Sequence, residues 1–284
     1  MSIRWIIFFL TGLFSPVISA NTPKQLHCLG NGKYCAFGQG ADIESIFGPG
    51  YSSPSYVRLT VNGGDSTVSV RMKGTAIWQH SLYKDGRIMA TFTDFIDSKT
   101  AVFARMVDCF AAFSVDINIL DDEKITIIEN FYTNKKESSS SLLIYKDRGL
   151  PIYGNYAHPY EQFQHIFSKG NATLSKKENS NYSLYIQPGK SEIFFIGGSA
   201  FQECEEHTNL VINSTTASLF NRTKEYWLAY TQRRYDFEQL IPDHLPDKKE
   251  IIDQIDNVAI ILKTQQAAEG GVIAGHAYHL GYVR

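Results

Sequence analysis

Between about residue 28 and residue 200 the chain is a succession of short stretches in which apolar and polar residues alternate, punctuated by glycine, asparagine and aspartate. A period of two places alternate side chains on opposite faces of an extended strand, and the turn residues leave no room for a long helix. In "SYVRLTV" the residues Val57, Leu59 and Val61 share one face; "NGGD" then turns the chain, and "TVSVRM" puts Val68, Val70 and Met72 together, which predicts a hairpin. "TAIWQHSLY" and "RIMATFTDF" flank "KDGR" in the same manner, with Asp85-Gly86 at the turn. "AVFARMVDC", "FSVDINI", "KITIIEN", "SLLIYKD", "YSLYIQ" and "EIFFIGG" continue the series. Strands of this length and regularity imply a large antiparallel β-sandwich, a mainly β fold.

Beyond about residue 205 the period changes. "TTASLFNRTKEYWLAYTQRRYDF" brings Phe220, Trp227 and Tyr230 together with Leu219, Thr223 and Tyr226 at helical spacing, as in a helix lying on the sandwich. "LIPDHLP" interrupts it, and a second helix is expected from Asp247 to about Ala267, with Asp247 and Glu250 in its first turn, where the helix dipole favours anions. Ile251, Ile255, Val258, Ala259 and Leu262 form an apolar stripe that needs a covering partner. Two readings follow: the stripe opens a further helical domain, or it packs back on the sandwich as the last helix of a complete protein. The first divides the chain into a leader over 1–20, a sandwich over 21–205, a linker helix region over 206–245 and the start of a helical domain over 246–284.

The leader is "MSIRWIIFFLTGLFSPVISA": one positive charge at Arg4, an apolar run from Trp5 to Phe14, Pro16, then small residues to Ala20. This is the pattern of a cleavable signal peptide cut after Ala20, and it implies a secreted or periplasmic protein with no membrane anchor. With 27 basic against 29 acidic residues and no basic run, the chain offers nucleic acid no electrostatic footprint. Export permits disulfides among Cys28, Cys35, Cys109 and Cys204. "CLGNGKYC" brackets a Gly-Asn-Gly turn, so Cys28–Cys35 is a reasonable local bridge, leaving Cys109 with Cys204; buried free thiols are the alternative. N-x-S/T sequons at Asn171, Asn181, Asn213 and Asn221 are candidate glycosylation sites if the host glycosylates.

Three groups of carboxylates could serve acid-base chemistry: Asp94 with Asp97, Asp121 with Asp122, and Glu203 with Glu205 and Glu206. Each has a plainer role, at a strand end, in a turn and on a solvated helix or loop start respectively. His276 and His279 are spaced for a shared metal only if helical, and Gly270, Gly271 and Gly275 make the segment a loop. No nucleophile elbow, phosphate loop or dinucleotide fingerprint is present, so neither a metal nor a cofactor is implied. The loop itself, "EGGVIAGHAYHLGYVR", suits a carbohydrate. Tyr278 and Tyr282 offer flat faces, His279 can hydrogen-bond, and Arg284 presents a planar fork of donors for paired hydroxyls.

Three stretches, "HCLGNGKYCAFGQGADIESIFGPGYSSPSYVRLTV", "IWQHSLYKDGRIMATFTDFID" and "VAIILKTQQAAEGGVIAGHAYHLGYVR", together resemble the amino-terminal part of bacterial glycoside hydrolase family 15 proteins, the glucoamylase-like six-hairpin glycosidases. The resemblance implies a β-supersandwich followed by an (α/α)6 barrel whose first helix is 247–267. It also implies a segment entering the sugar pocket, with Arg284 as the first half of an Arg-Asp pair on the terminal sugar. Tyr282 stands where the family carries tryptophan. In the family the acid and base glutamates lie much further along the barrel, so by resemblance this chain is an inactive fragment of an enzyme acting on α-linked glucosides or similar oligosaccharides. The alternatives are a non-catalytic carbohydrate-binding or structural sandwich, and a fragment of a phosphorylase or lyase of the same plan.

Overall fold

The computed structural model describes residues 25–48, 57–119, 125–129, 141–146, 162–178, 181–233, 239–245 and 247–268. Thirteen strands form one antiparallel sheet among them: β1 (Leu26–Gly30), β2 (Cys35–Gln39), β3 (Asp42–Phe47), β4 (Val57–Asn62), β5 (Ser66–Arg71), β6 (Trp78–Lys84), β7 (Arg87–Ile96), β8 (Val102–Cys109), β9 (Phe113–Ile119), β10 (Ile125–Glu129), β11 (Ser141–Lys146), β12 (Gln162–Lys176) and β13 (Tyr182–Gly198). The main path runs β1-β2-β3-β4-β9-β13-β8-β7-β6-β5, and β10, β11 and β12 branch from it at β13.

Local turn chemistry sets the short connections. In the β1–β2 hairpin Asn31 folds over its own turn, its Oδ1 accepting from the backbone N–H groups of Lys33 and Tyr34, both at 2.9 Å. The β6–β7 hairpin forms as the sequence predicts. Asp85 and Gly86 have φ of 49° and 71°, the positive pair of a type I′ turn whose twist matches the strands it joins.

The expected hairpin across "NGGD" does not form. β4 pairs with β3 and β9, whereas β5 pairs with β6 at the far end of the path. On this edge strand Ser69 points inward and Val70 is 57% exposed, so Val68, Val70 and Met72 are not the buried face. β12, which the sequence reading does not single out, is one long strand that carries a register shift between Gly170 and Ala172. "YSLYIQ" and "EIFFIGG" likewise form the single strand β13, which pairs with β9 before Pro188-Gly189 and with β8 after them. That change of partner is where the sheet branches.

Strand parity builds two apolar layers. Ile193 and Phe195 of β13 join Leu29, Ile43, Leu59, Phe92, Phe103 and Ile117 inside the curled sheet. Phe194 and Ile196 point the other way and meet Phe95, Val102, Phe163 and Phe167. That outer layer is closed by α1 (Phe201–Asn213) through Cys204 and Val211, and by α2 (Thr216–Gln232) through Leu219. The Thr215 side chain caps α2 by accepting from the Ser218 N–H. The sequence predicts α2 but reads α1 only as a solvated start.

α3 (Lys248–Gln265) leans on β1 and α2 along a line different from the expected stripe. Ile260, Thr264 and Gln265 are its buried residues, and Ile260 meets Ala76 and Trp227. Ile251, Ile255 and Ala259 are half-buried, whereas Val258 and Leu262 are 56% and 55% exposed. Among the described residues nothing covers that outward face. No helix among them is long and apolar enough to cross a membrane.

Candidate functional site

A cavity of 480 Å3 opens where α3 crosses the β1 and β5–β6 region. Its rim is polar: Arg71 Nη2 donates to Asn257 Oδ1, and Lys73 meets Asp253 at 2.9 Å. The second pair is solvent-exposed and adds little to stability. His27, Cys28 and Trp78 form the floor, and Trp78 Nε1 donates to the Cys28 carbonyl at 3.2 Å.

Behind that floor lies a buried polar cluster. Strand parity turns His27 of β1, His80 of β6, Asp94 of β7 and Arg105 of β8 toward the inner layer, beside Leu29, Leu82, Phe92 and Phe103. Asp94 and Arg105 are direct cross-strand partners, and Ser69 faces His80. All four residues are at most 3% exposed. Arg105 grips the carboxylate with both arms, Nε to Oδ1 at 2.8 Å and Nη2 to Oδ2 at 2.6 Å, and Nη2 also reaches the Ala41 carbonyl at 2.7 Å. Its guanidinium stacks over Phe92, 5.0 Å from the ring centre. His80 Nδ1 is 2.8 Å from Ser69 Oγ, while its Nε2 lies 3.5 Å from Asp94 Oδ2.

Burial opposes ionisation of Asp94, but the Arg105 guanidinium, reinforced by His80, outweighs it and holds the carboxyl below the usual carboxylate range. At His27 desolvation, with His80 adding to it, outweighs the opposing pull of Asp94 and lowers the imidazole pKa to about 3, so the ring is neutral near neutral pH. Apart from a weak approach to the Gln25 backbone, neither His27 ring nitrogen has a hydrogen-bond partner, and His80 Nε2 and Arg105 Nη1 also lack one.

The other carboxylates hold structure together. Asp97 Oδ1 accepts from Arg222 Nε and Nη2 at 2.9 and 2.6 Å, and Oδ2 accepts from Thr100 Oγ1 at 2.6 Å, which pins α2 to the β7–β8 turn. Asp94 and Asp97 are therefore each committed to an arginine and form no acid-base pair. Glu203 accepts from the Ser199 N–H and hydroxyl at the head of α1, at 2.8 and 2.6 Å. Arg284, Tyr282, Tyr278 and His279, with His276, Asp121 and Asp122, lie outside the described residues.

All four cysteines are buried free thiols. The Cys109–Cys204 bridge is ruled out by position. Cys109 sits in the inner layer and donates to the Ala111 carbonyl at 3.2 Å, whereas Cys204 rides on α1 in the outer layer and donates to the Ile196 carbonyl at 3.6 Å. Burial pushes the Cys204 thiol up to about 12, so it stays protonated and unreactive. Cys28 and Cys35 share a small cluster with Phe37, and burial together with the Cys28 neighbour raises the Cys35 pKa. Cys28 Sγ lies 3.1 Å from Thr264 Oγ1 of α3. Of the sequon asparagines, Asn171, Asn213 and Asn221 are exposed and Asn181 is half-buried.

The buried cluster was not visible in the sequence as a unit, because its members come from separate strands. The signal that could have found it is parity: Asp94 and Arg105 fall on apolar faces of their strands, where a charge requires a partner.

No protein-family model matches the chain, and no curated protein does. Among solved structures the chain is similar in fold to a bacterial glucoamylase complexed with acarbose, with a TM-score of 0.58 at 10% identity over 86% of this chain and 41% of that one. A putative kojibiose phosphorylase from human microbiome aligns at 9% identity over 81% of this chain and 38% of its own, with a TM-score of 0.39. The chain thus spans less than half the length of either protein. The first likeness defines the class by fold alone: a mainly β, sandwich-type chain with helices following.

Proposed function

We propose that this chain is the sandwich and first helical portion of an exported carbohydrate-active enzyme of glucoamylase type, acting in its longer form on α-linked glucosides or oligosaccharides. The observation that carries the reading is the fold likeness over 86% of the chain to 41% of a bacterial glucoamylase. The uncovered face of α3 supports it: a complete terminal helix would bury Ile251, Ile255 and Leu262, and none of the three is buried. In this reading the chain divides as the sequence suggests, near 205 and 246. Arg284 and Tyr282, with Tyr278 and His279, line the sugar pocket, and residues contributed by the longer polypeptide hydrolyse the bond.

Inverting hydrolysis requires an acid and a base facing each other across the sugar, separated by roughly 6.5–9.5 Å. The pair that the sequence singles out, Asp94 with Asp97, does not meet that need, since each is bound to an arginine. The test is to capture the natural gene product with an antibody to the sandwich. A longer polypeptide that releases glucose of inverted anomeric configuration from maltooligosaccharides is expected. A captured product without glycosidase activity, or hydrolysis by residues 21–284 alone, would overturn the reading. Mass measurement of the same product checks two companion proposals: cleavage after Ala20, and glycans at Asn171, Asn181, Asn213 or Asn221.

A further inference from the structure

The polar cluster behind the cavity is over-supplied with unpaired nitrogen. A neutral imidazole carries one N–H donor and one lone pair, and His27 buries both without a strong partner. Leaving such groups dry costs about 1–3 kcal/mol each, so a site that keeps several together invites a ligand. The spare atoms converge on one place. His27, His80 and Asp94 can each turn one donor atom into a volume in which all three lie within 4.8 Å of one another.

We propose that His27, His80 and Asp94 bind a transition-metal ion of the zinc type, with two imidazole nitrogens and one carboxylate oxygen as ligands. Tetrahedral zinc with bonds of about 2.0–2.2 Å holds its ligands roughly 3.4 Å apart, and two imidazoles with one carboxylate are a common zinc donor set. The 3.5 Å between His80 Nε2 and Asp94 Oδ2 already meets that spacing. His27 has to close by roughly an ångström. A second shell is in place: Ser69 Oγ holds His80 Nδ1 at 2.8 Å and so aims Nε2 at the ion, and Arg105 fixes the carboxylate. His27 also lines the 480 Å3 cavity, which gives an ion a path from solvent.

Arg105 limits the affinity. Its charge balances Asp94, so a divalent ion adds an uncompensated buried charge, and the guanidinium competes for the same oxygen at 2.6 Å. Removing that charge should tighten binding, which a purely structural cluster has no reason to do.

This inference is independent of the glycosidase reading. The experiment uses the full chain stripped with a chelator, then loaded with zinc or cobalt(II) alone; bound metal is counted by elemental analysis and cobalt geometry is read from visible absorption. His27→Gln keeps the size and polarity of the side chain, and circular dichroism confirms that each variant is folded. The expected result is about one zinc per folded wild-type chain, tetrahedral cobalt absorption, loss of both in H27Q, and at least tenfold tighter binding in R105M. Zinc absent from the folded wild type, or retained equally by H27Q, overturns the proposal. If R105M does not fold, the comparison with H27Q decides alone.

Discussion

Asp94→Leu combined with Arg105→Met tests how the sandwich tolerates charge in its inner layer. Both groups are essentially inaccessible, and Arg105 spends two hydrogen bonds, at 2.8 and 2.6 Å, on the carboxylate. D94L alone strands a guanidinium that keeps only the Ala41 carbonyl and the Phe92 face; it cannot shed its proton, so the variant should lose about 3–5 kcal/mol. R105M strands the carboxylate beside His80 and should lose somewhat less, because Asp94 can take up a proton. The double variant buries two apolar groups where two charges were, and replacing a buried pair in this way is often near neutral. Its expected cost is about 2 kcal/mol or less, far below the sum of the singles. Urea unfolding in chelator-containing buffer, with linear extrapolation and a check that the slope is constant, measures all four corners of the cycle. If the single losses add within about 0.5 kcal/mol, or D94L costs less than about 1 kcal/mol, the pair is not coupled and the account of the cluster is wrong.

Three further outcomes follow from the same packing. His27 has a folded pKa of about 3 against an ordinary 6.5, so the unfolded chain binds a proton that the native chain refuses. The stabilisation is therefore complete above pH 6.5 and is lost as pH falls toward 3, by about 3 kcal/mol at pH 4.5 at 1.4 kcal/mol per pH unit. Asp94, also depressed, adds to the loss below its ordinary 3.8. Urea midpoints against pH should show this slope in the wild type and a shallower one in H27Q; equal slopes would assign the acid sensitivity elsewhere. Gly38→Ala would set a Cβ 2.1 Å from the Asp42 carbonyl oxygen and 2.4 Å from His27 Cε1. A backbone shift in the β2–β3 pairing is then unavoidable, with a loss of about 3 kcal/mol or more, and a melting point unchanged from wild type would contradict that packing. Leu262→Glu, on the open face of α3, should change the stability of this chain by no more than about 0.5 kcal/mol, yet cost over about 2 kcal/mol in the longer protein if a helix covers it there. Thermal melts of both forms separate the two cases.

Some of this was legible because it is local. Asp85-Gly86 accepts positive φ at two successive residues and so specifies its own hairpin. The recurrence of Leu219, Thr223 and Trp227 specifies which side of α2 is buried. "EIFFIGG" is a strand as its place in the series predicts, though its burial on both faces is seen only in the structure. The failures are non-local. "NGGD" has ideal turn chemistry, yet β4 and β5 separate because β4 finds β9 and β5 finds β6, and nothing within either stretch encodes those partners. The stripe on α3 was drawn from helical spacing alone, and the docking of Ile260 and Thr264 against α2 and β1 rotated it.

The sequence by itself determined the mainly β architecture, the switch to helices near residue 205 and the Asp85-Gly86 turn, since each follows from a residue and its near neighbours. Only the tertiary structure decided which strands pair, which cysteines cannot meet, and that His27, His80, Asp94 and Arg105 converge. The physical reason is that hydrophobic periodicity fixes a face but not a partner. A buried charge announces that it needs a neighbour, and the curl of the sheet chooses which one it gets.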